Sequence, residues 1–183
     1  MEYKPLVIPD VVLLIPKVFG DERGFFMETF RHEEFIKYCG NYQFVQDNHS
    51  SSKQGILRGL HYQHQKPQGK LVRVTRGEVF DVAVDMRRDS PSFGRWVGEY
   101  LSETNKRMLW VPPGFAHGFY VTSESAEFQY KCTDYYNPGD EYSLLWNDDT
   151  VGINWPLSVG PTLSAKDQES QLFANCPYFA SSS

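Results

Sequence analysis

The chain has 183 residues, 23 acidic against 18 basic side chains and a net charge of −5, with 13 Phe, 11 Tyr and 4 Trp. That length suits one domain with a sizeable core, and the aromatic content favours a sheet-rich interior over a helix bundle. Excess acid without a Lys/Arg block argues against nucleic acid as a partner, and three widely spaced cysteines, Cys39, Cys132 and Cys176, fit neither a disulfide framework nor a zinc site.

A reducing, cytoplasmic setting is therefore expected. The longest apolar run, Val11 to Ile15, stops at Pro16, far short of a membrane span, and no signal peptide is expected. Val11 to Phe19 reads as a strand interrupted at Pro16, Gly20 to Gly24 as a turn, and Phe25 to Phe30 as a second strand. In that second strand the period of two puts Glu28 on one face with Phe26 and Phe30. A short helix over Glu33 to Tyr38 ends near Gly40.

Phe44 to His49 resumes as strand with Gln46 and Asn48 on one side, and Ser50 to Gly55 reads as a polar loop. Ile56 to Gln63 is strand-like yet carries Arg58 and His61 where a core strand would carry Val or Ile. Their odd spacing puts them on opposite faces of a regular strand, and a bulge at Gly59 is the expected remedy. Lys70 to Thr75 and Val79 to Asp85 read as a hairpin, with Lys70 on the face that buries Val72 and Val74.

Trp96 to Leu101, Met108 to Val111 and Phe115 to Val121 follow as strands, and Glu127 to Thr133 alternates so that Tyr130 turns inward with Phe128 and Cys132. Asp134 to Trp155 is loop-rich, Ser164 caps a short helix to Glu169, and Ser181 to Ser183 is expected to be disordered. Many short strands with little helix describe an all-β fold, best matched by a single cupin-type jelly roll over residues 1–183.

Taken singly, His61, Tyr130, Lys70, Glu28 or Arg58 has an ordinary structural explanation, such as a satisfied core histidine or a structural ion pair. Together with Gln46 and Asn48 they predict a polar cavity inside the barrel, and such a cavity binds a ligand. Metal is disfavoured: His61 and His64 are three apart, diverge along a strand, and cannot chelate together, so His117 is expected to serve ligand binding.

The chain resembles the dTDP-4-dehydrorhamnose 3,5-epimerases of nucleotide-sugar metabolism. The resemblance rests on Asp21-x-Arg23-Gly24-x-Phe26, Gln46 to Ser50, Leu57 to His61, Gln68 to Val72, Pro113 to Phe119 and Tyr130 to Thr133. It implies a cofactor-free reaction on a dTDP-4-keto-6-deoxyhexose, with His61 as base oriented by Asp167, Tyr130 as acid and Lys70 near the C4 oxygen. It also implies sugar or diphosphate contacts from Gln46, Asp47, Asn48, Arg58, His117, Glu141 and Lys166, and stacking of Tyr136 on thymine. Arg23 and Glu28 would reach the nucleotide across a homodimer. Relatives inverting only C5 or C3 share the pattern, and a non-catalytic sugar-nucleotide-binding cupin and a metal-dependent cupin remain as alternatives.

Overall fold

The structure, a computed structural model, describes residues 1–180, so the expected disorder of Ser181 to Ser183 lies outside the described residues. The first half of the chain carries β1 (Glu2–Pro5), β2 (Val12–Ile15), β3 (Val18–Asp21), β4 (Gly24–Met27), α1 (His32–Cys39), β5 (Gln46–Lys53), β6 (Leu57–Gln63), β7 (Lys70–Arg76) and β8 (Glu78–Asp85). β9 (Trp96–Ser102), β10 (Met108–Val111), β11 (Phe115–Val121), β12 (Ser125–Cys132), β13 (Glu141–Ser143) and α2 (Ala165–Gln168) follow.

Two sheets face one another as a cupin-type jelly roll: β1-β2-β10-β7-β12-β5 and β13-β6-β11-β8-β9. Alternate residues of both sheets meet between them. Leu13, Val72, Val74, Leu109 and Phe128 come from the six-stranded sheet, and Val79, Ala83, Leu101, Phe119 and Val121 from the five-stranded one. Phe119 and Phe128 stack across the interface with ring centroids 4.2 Å apart.

The other face of each sheet is also covered, which explains why β11 is buried along its whole length. α1 lays Phe35 over Val12, Leu14, Leu71 and Trp110, while Leu144, Val151 and Phe173 from the late loops cover Leu60, Val82 and Val84. Among the described residues no helix is long and apolar enough to cross a membrane.

Three expectations fail here. β7 and β8 are not a hairpin but belong to different sheets, with the chain turning the corner at Gly77 (φ 73°). A Cβ at Gly77 would lie 1.9 Å from the Ser125 carbonyl oxygen, so only glycine makes that turn. Ser50 to Lys53 is not loop but the end of β5, paired with β12 from Ser125 to Phe128; its serines lack an apolar rhythm because β5 is an edge strand.

The third is Glu28, which does not sit inward among phenylalanines. β4 ends at Met27, so the period of two does not reach it, and Glu28 is exposed and ion-paired with Arg31 at 2.7 Å. The β3–β4 ribbon pairs with neither main sheet and leaves Phe19, Phe25 and Phe26 exposed.

Candidate active site

Between the sheets the apolar core gives way to a polar cavity of about 640 Å³. Its five-stranded wall carries Arg58 and His61 from β6 and His117 from β11; its six-stranded wall carries Gln46 and Asn48 from β5, Lys70 from β7 and Tyr130 from β12. Late segments close the mouth with Tyr136, Glu141, Lys166 and Asp167.

The bulge expected at Gly59 is present. His117 pairs with His61 and Phe119 with Arg58, so three residues of β6 span two of β11, and Arg58 and His61 reach the same cavity. Gly59 has φ 107°, and a Cβ there would lie 2.6 Å from the His117 carbonyl oxygen. The rephasing therefore requires glycine.

His61 is gripped at Nε2, 2.5 Å from Oδ1 of Asp167. α2 presents that carboxylate: Ser164 caps the helix by accepting from the Asp167 amide, and Asp167 Oδ2 accepts from the Gly59 amide at 3.3 Å. Burial pushes the Asp167 carboxyl up, but the His61 hydrogen bond and charge and the Gly59 amide outweigh it, and the net shift is downward. An ionised Asp167 accepts from an Nε2–H, which leaves Nδ1 of His61 as the nitrogen with a free lone pair. Glu141 Oε1 stands 3.8 Å from that Nδ1. The other Glu141 oxygen accepts from the Tyr136 hydroxyl at 2.9 Å and pairs with Lys166.

On the facing wall, burial pushes the Tyr130 phenol up to about 12, so it is protonated at neutral pH. Lys70 Nζ lies 5.9 Å from the centre of the Tyr130 ring. Burial pushes the Lys70 ammonium down, and the charges of Cys132, Glu141 and Asp81 pull it back without restoring it.

Eleven of the fourteen expected site residues thus meet in one cavity, while Asp47, Arg23 and Glu28 do not. Asp47 points to the other side of β5, where it pairs with Lys131 at 3.0 Å, because it alternates with Gln46 and Asn48. Arg23 lies on the exposed turn of the β3–β4 ribbon, paired with Asp21. Gln68 and Ser164 also line the cavity without having been expected there, and one buried acid behind its wall went unremarked. Asp81, fully buried on β8, places both carboxylate oxygens 2.9 Å from His117 Nε2. The signal was available, since it is the lone charge in Val79 to Val84. No three His, Cys, Asp or Glu side chains among the described residues converge as a metal ion would require.

The family model described as dTDP-4-dehydrorhamnose 3,5-epimerase matches residues 5–175. A dTDP-4-dehydrorhamnose 3,5-epimerase from Pseudomonas aeruginosa is 57% identical over 180 residues, covering 98% of this chain and 99% of that one. The solved dTDP-6-deoxy-D-glucose-3,5-epimerase of Legionella pneumophila, in complex with dTDP-4-keto-L-rhamnose, superposes with a TM-score of 0.96 at 48% identity, covering 100% of this chain and 99% of that one. ChmJ, a 3′-monoepimerase from Streptomyces bikiniensis solved with dTDP-quinovose, superposes with a TM-score of 0.88 at 33% identity, covering 93% and 87%.

Proposed function

This chain belongs to the dTDP-4-dehydrorhamnose 3,5-epimerase family, and on that premise we propose that it inverts C3 and C5 of dTDP-4-dehydro-6-deoxy-D-glucose by enolate chemistry. It is an isomerase. The observation that carries the mechanism is that His61 and Tyr130 face one cavity from opposing sheets, with His61 Nε2 already held by Asp167.

A C–H bond beside the C4 ketone is a weak acid, and each pKa unit of mismatch with imidazole costs about 1.4 kcal/mol. His61 Nδ1 takes the proton while the C–H electron pair moves toward the C4 oxygen, giving an enolate. Lys70 stabilises that oxygen, a contribution of about 3–4 kcal/mol for one preorganised donor. The Tyr130 phenol then delivers its proton to the opposite face of the same carbon. Each inversion leaves His61 protonated and Tyr130 as phenolate, and exchange with solvent restores both. Asp167 holds the imidazole in the productive tautomer.

The nucleotide end follows from the cavity mouth: Gln46, Asn48, Arg58, His117, Glu141 and Lys166 contact sugar or diphosphate, and half-exposed Tyr136 stacks on thymine. Asp47, turned away to Lys131, is not one of these contacts. Arg23 and Glu28 serve a neighbouring copy in a homodimer, a role suited to an exposed ribbon bearing three unburied phenylalanines.

Proton NMR of dTDP-4-keto-6-deoxyglucose incubated with the enzyme in deuterated buffer tests this. Loss of both H3 and H5 signals is expected; loss of only one makes the protein a monoepimerase like ChmJ, and binding without exchange makes it a non-catalytic module. H61N must abolish exchange. Full epimerisation by that variant overturns the mechanism.

A further inference from the structure

Asp81 is out of place by every local rule. Its side chain is wholly buried in β8, flanked by Phe80 and Val82, on a face whose other members, Val79 and Ala83, are core. An unpaired carboxylate in such a place costs several kcal/mol, and an aliphatic residue would fill the position without that cost. Both of its oxygens lie 2.9 Å from His117 Nε2, on the neighbouring strand, and His117 in turn lines the cavity.

Asp81 itself is held above the ordinary carboxylate range by burial, against the opposing pull of His117 and Lys70. Its register partner on β9, Glu99, lies 3.9 Å from Arg107.

Resting on the epimerase assignment above, we propose that Asp81 is a positioning residue of the reaction: it fixes the His117 ring against the substrate. Asp81 touches no substrate. It acts from beneath the cavity floor, through one imidazole. A purely structural carboxylate would leave kcat of a folded, dTDP-binding variant unchanged, and that difference makes the assignment testable.

The variant is D81N, nearly isosteric and still able to accept from His117 Nε2 while carrying no charge. The expected result is a 10- to 100-fold fall in kcat, the size usual for removing a group that orients a site residue, with KM changed less than about threefold. Combining D81N with H117Q should cost no more than the worse single change, since the two act through one link. Binding of dTDP, measured calorimetrically, serves as the control for folding. Where D81N binds no dTDP, D81L, which replaces the buried charge with an apolar side chain, takes its place in the same assays. Wild-type kcat in a dTDP-binding variant, or strictly additive losses in the double variant, would overturn the proposal and leave the epimerase assignment standing. Absence of solvent exchange in the wild type overturns both.

Discussion

Nε2 of His61 and Oδ1 of Asp167 lie 2.5 Å apart although 106 residues separate them in sequence. The bond joins a strand of the five-stranded sheet to a one-turn helix capped by Ser164. D167N keeps the shape but can present an amide N–H to Nε2, which favours the wrong tautomer of His61. Solvent-deuterium exchange into the sugar should fall by about 10²- to 10⁴-fold, measured as an initial rate by NMR. A loss below about threefold would show that His61 needs no orienting partner.

Tyr130 stays a protonated donor at neutral pH, since burial pushes it up to about 12. Y130F should therefore still exchange deuterium at the carbon from which His61 removes the proton, but return it on the same face. Product analysis should show labelled, uninverted sugar. Normal inversion by Y130F would remove the phenol from the mechanism.

Gly59 must remain glycine. With φ 107° and the His117 carbonyl oxygen 2.6 Å from any added Cβ, G59A forces β6 and β11 apart. The strain costs about 1–3 kcal/mol, or a Tm lower by about 2–12 °C for a chain of this size. Calorimetry reads the change, and exchange activity should drop with it because Arg58 and His61 lose their common phase.

Asp167 also ties stability to pH. Its folded-state carboxyl lies below its ordinary value of 3.8, so it contributes stability above that pH and loses it as pH falls through the folded value. Near neutrality D167N should be less stable by about 1.5–3 kcal/mol. Thermal melts at about pH 6 and about pH 3 should show that gap closing in acid; a gap that widens in acid contradicts the assigned ionisation.

His61 and His117 each commit Nε2 to a carboxylate, Asp167 and Asp81 respectively. Activity should thus survive exhaustive dialysis against EDTA unchanged. Loss of activity with recovery on adding zinc, manganese or iron would place the protein with the metal-dependent cupins.

The cavity was legible in sequence because polar residues interrupt strong local patterns. Lys70 shares a face with Val72 and Val74, and Tyr130 with Phe128, so alternation alone turned both inward. Arg58 and His61 required the bulge at Gly59, which their odd spacing demanded. What stayed hidden depended on pairing between distant segments. Nothing within Lys70 to Asp85 says that its two strands part company at Gly77, because each finds its partners elsewhere in the chain. Glu28 was misplaced because strand periodicity was carried past Met27, where β4 ends. Asp81 was overlooked because the surrounding valines make β8 read as core.

One ring from each sheet, Phe119 and Phe128, fills the space beside the cavity with centroids 4.2 Å apart. That stack is a contact between the wall bearing His61 and the wall bearing Tyr130, so the bulk of two phenyl groups bears on how far apart they stand. Under the proposed mechanism a hexose is touched on both faces within that gap, and its base-to-acid reach is then set by aromatic packing. Exchanging either phenylalanine for a slimmer side chain would narrow the slot, and the enzyme's tolerance for bulkier sugars would change with no alteration to its acid or its base.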